Sequence, residues 1–410
     1  MDVVGIVIFV VTYALISARR LPWLGFDRPA AALLGGVACV VCGVLTAAQA
    51  TAAVDGDTLL LLFGMMGLGA VLASDGFFAA VADRAVVVAR TPARLLGLVV
   101  WGSGILSALI TNDAVCVLGA PLVVAVIVRH RLPAAPFLLA LATGANSGSV
   151  ATLVGNPQNM LCATLGGLDY REHLLLAGPI AVFALLVNHA LLALFYKRDL
   201  AAAAFVTGID GIDGDTDLGR SRSAVVVIAG TAVAATFGLH LAWCAVTGLI
   251  VLLLVRRRDT SAVWSGIDWS VLVFFAGLFV VVEGFVRSGA PARFFEVVPL
   301  WQGEGLLAWL RLGGLFLLGS NLVSNVPFIL VVKAQLATLP DPKLGWEMLA
   351  VVSTFAGNLT LLGSVANIIV AEAGKDVGGL GFVQYLKVGA PLAIITSLAG
   401  ILWLVLISAS

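Results

Sequence analysis

The chain has 410 residues, 61% of them hydrophobic and 11% charged, with 23 basic residues balancing 23 acidic ones. That composition excludes a soluble globular protein, and a net charge of zero gives no electrostatic basis for binding nucleic acid. Apolar runs of about 18 residues or more, each enough to cross about 30 Å of hydrocarbon, recur along the whole length. The chain reads as an all-α polytopic membrane protein, partnered first of all by the lipid bilayer.

In chain order, spans are expected at 3–18, 30–50 and 57–74. The first run follows Met1-Asp2 without a basic flank or a small-residue cleavage site, so it reads as a retained helix. Residues 76–92 carry Asp83, Arg84 and Arg90 among apolar side chains, which suits a helix at the membrane interface. An apolar stretch at 94–131 is interrupted by Thr111-Asn112-Asp113. Another, at 134–165, is interrupted from Asn146-Ser147-Gly148-Ser149 through Gly155-Asn156-Pro157-Gln158-Asn159. A span at 173–196 closes the first half, and 197–222 is a hydrophilic, cytoplasmic linker. Within it Asp213, Asp215 and Asp217 resemble a calcium loop, but Leu218 and Ala224 stand where such a loop needs Gly and Glu. Spans at 223–238 and 240–256 meet at Gly238-Leu239-His240. The second half runs through a span at 269–287, a stretch at 305–338 broken at Ser324-Asn325, one at 346–374 broken at Gly357-Asn358, and a last span at 383–407.

The order of parts repeats, from an Asp57-led helix in one half and an Asp268-led helix in the other. Asn112 and Asn325 stand 213 positions apart, whereas Thr152/Thr360, Gly155/Gly363 and Asn159/Asn367 each stand 208 apart, the signature of an internal repeat. The expected organisation is N-terminal scaffold helices at 1–56, a first repeat at 57–196, the linker at 197–222, connecting helices at 223–267 and a second repeat at 268–410. Each repeat would hold a re-entrant helical hairpin and a discontinuous transmembrane helix. With both termini on the non-cytoplasmic side of the cell membrane, most basic residues fall on the cytoplasmic side, and the two repeats become inverted.

Backbone unwinds at membrane depth only where it is buried in protein or lines a cavity. A half-helix ending there offers free N–H groups or free carbonyls to a solute, and short polar side chains let the solute approach. Substrate contacts are therefore expected at Asn112, Asn146, Ser147, Asn156 and Asn159, and at Ser324, Asn325, Asn358, Thr360, Ser364 and Asn367. The alternative is that these residues only join helices by hydrogen bonds. Thr111, Asp113, Ser149 and Thr152 are the candidates for a coupling ion, with Asp113 binding Na⁺, exchanging a proton, or pairing with a nearby cation. Pro157 and Pro327 are read as keeping the breaks open. Glu283 is either a second intramembrane acid or a partner of Arg287 one turn on. His189 with Asn188 reads as a helix contact, and the five cysteines as small buried hydrophobes. Cys116 and Cys162 each follow a break residue by three positions, within reach of a metalloid, but the second half has no counterpart. No cofactor is expected, beyond Na⁺ as one candidate coupling ion.

The strings Ile110-Thr111-Asn112-Asp113, Leu153-Val154-Gly155-Asn156-Pro157-Gln158-Asn159-Met160 and Gly357-Asn358-Leu359-Thr360-Leu361-Leu362-Gly363-Ser364-Val365-Ala366-Asn367 resemble the ion transporter superfamily. They look most like its branch of arsenite permeases, citrate-type anion permeases and sodium–proton antiporters. The resemblance implies a scaffold, a mobile transport domain, a homodimer moving by an elevator-like step, and a small anion or metalloid carried with H⁺ or Na⁺. In the related symporters a Ser-Asn-Thr motif at each hairpin tip binds substrate and sodium. Here Thr111-Asn112-Asp113 and Ser324-Asn325-Val326 depart from it, which favours proton coupling or a neutral metalloid hydroxide over a dicarboxylate. A sodium–proton exchanger with Asp113 as the ion site is the second expectation. Neither a His-Glu-x-x-His pair nor a Gly-x-Ser-x-Gly elbow is present to suggest an enzyme.

Overall fold

The computed structural model describes residues 3–17, 26–203, 219–257 and 259–408. The calcium-like aspartates Asp213, Asp215 and Asp217 lie outside the described residues, as do the basic residues Arg19, Arg20 and Arg258. The chain starts with α1 (Val3–Ser17), α2 (Arg28–Val41) and α3 (Ala47–Ala53). The first half continues with α4 (Gly56–Ser74), α5 (Phe77–Ala89), α6 (Pro92–Leu109), α7 (Asn112–His130), α8 (Ala134–Ser149), α9 (Pro157–Gly166) and α10 (Tyr170–Phe195). Between the halves come α11 (Lys197–Ala202), α12 (Arg222–Thr236), α13 (Leu241–Arg256) and α14 (Ser261–Ser265). The second half holds α15 (Trp269–Arg287), α16 (Ala290–Val297), α17 (Gly305–Val323), α18 (Asn325–Leu336), α19 (Pro342–Ala356), α20 (Val365–Ala373) and α21 (Phe382–Ser408).

Seven of these helices are long and apolar enough to cross a membrane: α4, α6, α7, α10, α15, α17 and α21. Large apolar side chains such as Val226, Phe237, Leu307 and Leu322 face outward, as a lipid-facing surface requires. The order of elements in α4–α10 recurs in α15–α21: a long helix, a short one, a hairpin, a broken pair and a long closing helix.

Short polar side chains start the helices. Asp27, Thr46, Asp55, Thr91, Asp169, Asp268 and Asp341 each accept a hydrogen bond from an otherwise unpaired N–H of the first turn. The cap of α4 is Asp55, so the expected Asp57 lead is corrected: Asp57 already lies inside the helix. The run at 30–50 is not one span either, since α2 ends at Val41 and the chain turns through Gly43, at φ +74°, before α3. Pro157 and Pro327 also differ from expectation. They occupy the first turns of α9 and α18, where a backbone N–H has no intrahelical partner, so neither removes a helix hydrogen bond.

α8 is the centre of the packing, in contact with both hairpin arms α6 and α7 and with α10, α19 and α20. Its approach to α6 is set by glycine: a Cβ on Gly148 would fall 2.2 Å from the Gly104 backbone. α19 packs in turn against α9, α17, α18 and α21. To one side, α1, α2 and α15 form a second group, and α4 joins α12, α13 and α14. Arg256 closes the ends of α4 and α13 by pairing with the buried Asp75, and it donates to the Arg220 carbonyl and the Ser223 hydroxyl at 3.0 and 3.1 Å. Glu283 and Arg287 pair along one face of α15 at 2.7 Å, the bland one of the two expectations for that acid.

Candidate functional site

Four interruptions define the site: Ile110-Thr111 between α6 and α7, 150–156 between α8 and α9, Ser324 between α17 and α18, and 357–364 between α19 and α20. One boundary is corrected. Asn146, Ser147, Gly148 and Ser149 form the last turn of α8 and remain helical; the unwound backbone starts at Val150.

The two longer breaks close in the same way. At the start of α9, Asn159 Nδ2 donates back to the carbonyls of Ser149 (3.4 Å) and Thr152 (3.0 Å). At the start of α20, Asn367 Nδ2 donates to the carbonyls of Gly357 (2.7 Å) and Thr360 (3.2 Å). Each donor reaches acceptors ten and seven positions back, so one asparagine ties the second half-helix to the end of the first. Gly155 makes the turn possible, because a Cβ there would fall 2.2 Å from the Ser149 carbonyl oxygen.

The breaks then hold each other. Asn146 Nδ2 donates to Asn367 Oδ1 at 2.9 Å, and the Thr354 hydroxyl donates to Asn159 Oδ1 at 3.0 Å. Thr354 stands 208 positions after Asn146, and Asn367 the same distance after Asn159. A second exchange runs alongside: Asn156 Nδ2 donates to Thr354 at 3.2 Å, and Ser364, the equivalent of Asn156, donates to Asn146 Oδ1 at 3.3 Å. Residue i of one half touches j of the other while the equivalents of j and i touch back, the pattern of a two-fold contact. Asn146 also donates to Asn358 Oδ1 (3.1 Å), Asn358 donates to Ser147 (3.1 Å), and Asn156 donates to Ser149 (2.9 Å). Asn146, Asn156, Asn159, Asn358 and Asn367 are all buried.

The first hairpin tip joins this network. Asn112 Nδ2 donates to Asn146 Oδ1 at 2.9 Å, the Asn112 N–H donates to the Gly155 carbonyl at 2.8 Å, and Thr111 caps α7 through Ala114. Thr152 anchors to the Ala108 carbonyl at 2.7 Å. Asp113 is half-buried beside Asn112, and its carboxylate forms no ion pair with a described residue. The second tip does not join. Ser324 is exposed at φ +74° with no side-chain cap, and the buried Asn325 Oδ1 has no hydrogen-bond partner. Ser324 and Asn325 are thus not hydrogen-bonded into the network that holds Asn112. Thr360 meets the second hairpin through Asn321 instead, at 3.3 Å, and Asn321 donates to the Ala356 carbonyl at 2.9 Å.

Thr354 and Asn321 join the site without having been among the expected residues, although the repeat spacing makes them the equivalents of Asn146 and Ala108. Asn188 with His189 is the expected helix contact. The structure buries Asn188, which accepts from Thr143 at 3.0 Å, and places the His189 ring where a Cβ on Gly97 would crowd it, at 3.0 Å. Cys39, Cys116 and Cys162 are buried, as expected of small hydrophobes, whereas Cys42 is exposed and Cys244 half-buried, a correction for those two.

Paired interruptions held by buried amides, inside a bundle with seven candidate spans, define a membrane transporter. The sequence places it more closely: residues 8–356 match the model of the citrate transporter family, and the chain belongs to that family. It is 32% identical to the silicon efflux transporter LSI3 of Oryza sativa subsp. japonica, over 97% of this chain and 96% of that one. A Dictyostelium discoideum protein carrying the transporter name arsB is 26% identical over 98% of this chain and 90% of its own. Among solved structures, the Alcanivorax borkumensis YdaH transporter shares the fold, with a TM-score of 0.53 at 17% identity, covering 98% of this chain and 96% of that one.

Proposed function

We propose that the protein is a secondary carrier of a small oxyanion or an uncharged metalloid hydroxide, coupled to H⁺ or Na⁺ and working by alternating access. The reciprocal contact of Asn146 with Asn367 and of Thr354 with Asn159 carries this reading. Two equivalent half-sites facing across a pseudo-two-fold axis are what inverted repeats produce. Their amides are spent on one another, and a solute rich in hydroxyls or oxygens exchanges those bonds for bonds to itself. Such an exchange is close to neutral in free energy, about 1 kcal/mol per bond, which suits a carrier that must also release its cargo. The names of the rice and Dictyostelium relatives favour silicic acid and arsenite, both small hydroxides, as the first cargoes to try. Asp113, at the tip docked on this network, is the proposed coupling acid, with Thr111, Ser149 and Thr152 around the same break. A homodimer with an elevator-like transport step and both termini outside the cell membrane completes the proposal.

The test is uptake into liposomes of arsenite, silicic acid and citrate under imposed H⁺ or Na⁺ gradients. Wild type should accumulate at least one of them, and Asp113→Asn should lose accumulation while keeping downhill exchange. Accumulation at wild-type level in Asp113→Asn would remove that carboxylate from coupling. A second reading, a sodium–proton exchanger, is favoured by the unpaired carboxylate of Asp113. It predicts collapse of a pH gradient on adding Na⁺ with no solute present.

A further inference from the structure

Two titratable groups that the solute network leaves unused meet between the halves. His173 of α10 and Glu347 of α19 are both buried, with Nδ1 and Oε2 2.6 Å apart. The other ring nitrogen, Nε2, lies 3.0 Å from the Val150 carbonyl, the first residue of the unwound segment after α8. The ring is therefore clamped between a carboxyl group and a carbonyl. A neutral imidazole has one N–H, and a carbonyl accepts only, so Nε2 must carry that hydrogen. Nδ1 then meets Glu347 favourably in two states only: the ring carries a second proton, or the carboxyl is protonated and donates to it. Both states contain the same extra proton. Without it, a lone pair faces a carboxylate, and either the Glu347 contact or the Val150 contact must give way.

The pair lies at the floor of an open cleft on the Glu347 side. Glu347 lines a cleft of about 360 Å³ together with Glu172, Leu175, Asp341, Lys343 and Leu404. Its second oxygen, Oε1, is buried with no hydrogen-bond partner. At the mouth, Lys343 pairs with Glu172, and both side chains are more than half exposed. The charged groups around the pair are accordingly Asp169 and Glu172 from α10, and Asp341 and Lys343 from the start of α19. From α9 the buried Cys162 thiol faces Glu347, and α21 presents Leu404, Ile407 and Ser408. The near cation, Lys343, is already engaged by Glu172, so the proton remains the charge that the pair itself can gain or lose.

We propose that the His173–Glu347 pair binds one proton, released to this cleft when the first break rearranges, so that H⁺ is a coupling ion of the carrier. The idea rests on the carrier reading but assigns the proton to a place distinct from Asp113. The link to the solute site is short. Val150 follows Ser149, whose carbonyl accepts from Asn159, and Asn159 is held by Thr354. Losing the proton loosens the end of α8 at the point where the network is tied.

The experiment compares wild type, Glu347→Gln and His173→Gln in liposomes, with arsenite and silicic acid as probes. Solute exchange at equal pH needs no net proton movement, whereas accumulation driven by a pH gradient does. Both variants should keep exchange and lose pH-driven accumulation. Retained accumulation in Glu347→Gln overturns the proposal, and so does loss of exchange in both variants, which would make the pair a structural link. If wild type moves neither these two probes nor citrate, the carrier reading fails on its own. The proton site is then decided by ¹⁵N NMR of the histidine rings, with His173 assigned by its loss in His173→Gln. Its Nδ1 signal should report the proton shared with Glu347, and that signature should be lost in Glu347→Gln. The same Nδ1 signature in both proteins overturns the proposal.

Discussion

The two hairpin tips come from equivalent places in the repeat and are built in opposite ways. At the first, Ile110, Thr111 and Asn112 are all buried, α7 is capped by Thr111, and Asn112 is bonded by side chain and backbone to Asn146 and Gly155. At the second, Leu322 and Ser324 are exposed, α18 starts without a side-chain cap, and Asn325 Oδ1 is buried without a partner. A tip tied by several buried hydrogen bonds opens only with the structure around it, while a tip held by few opens alone. The comparison teaches that near-identical local sequence, Thr-Asn against Ser-Asn, sets the chance of a break. What the break can bond to sets how firmly it is held.

The largest effect that can test this contrast is expected at Asn146, which bonds to the first tip and to the break between α19 and α20. Asn146→Ala removes a donor to Asn358 and Asn367 and an acceptor from Asn112 and Ser364. Leaving several of these buried groups unpaired should cost about 3–5 kcal/mol and abolish transport. Thermal unfolding in detergent measures the first, and solute exchange the second. A loss under about 1 kcal/mol would mean that the network bears little weight.

Next comes the direct comparison of tips. Asn112→Ala should destabilise by about 1–3 kcal/mol, because it leaves Asn146 Oδ1 and the Asp113 N–H short of a partner. Asn325→Ala should stay within about 0.5 kcal/mol, since it removes an oxygen that has no partner to lose. Equal losses at the two positions would erase the distinction between the tips.

Much of this was legible from residue order. The four interruptions, the equivalences 208 and 213 positions apart, and Asn112, Asn146, Asn156, Asn159, Asn358 and Asn367 are visible without coordinates, because amides inside apolar runs are costly unless they are used. What could not be read was connectivity. Asn146, Ser147 and Ser149 read as unwound because short polar side chains weaken helices, yet α8 keeps them helical by packing them inside the bundle. Thr354 stands 208 positions after Asn146, but only its bonds to Asn156 and Asn159 show that it takes the equivalent place. His173 and Glu347 lie 174 positions apart, and no periodicity joins them. The same holds for the second tip: Ser324-Asn325 resembles the first tip in letters but makes no bond equivalent to that of Asn112 with Asn146.

The smallest effect that sharpens the comparison lies at Ser324, where φ is +74° and ψ 147°. Glycine reaches that region freely, whereas a side chain there costs about 1–3 kcal/mol of strain. Ser324→Gly relieves the strain but adds freedom to the unfolded chain, worth up to about 1 kcal/mol in the other direction. The net expectation is a gain of about 1 kcal/mol, seen as a higher unfolding temperature in detergent. Function should move the opposite way. Strain at an exposed tip favours leaving the present arrangement, so removing it should slow solute exchange. A variant that unfolds at lower temperature would show that Ser324 is held there by contacts worth more than the strain, and the two tips would then be equally well anchored.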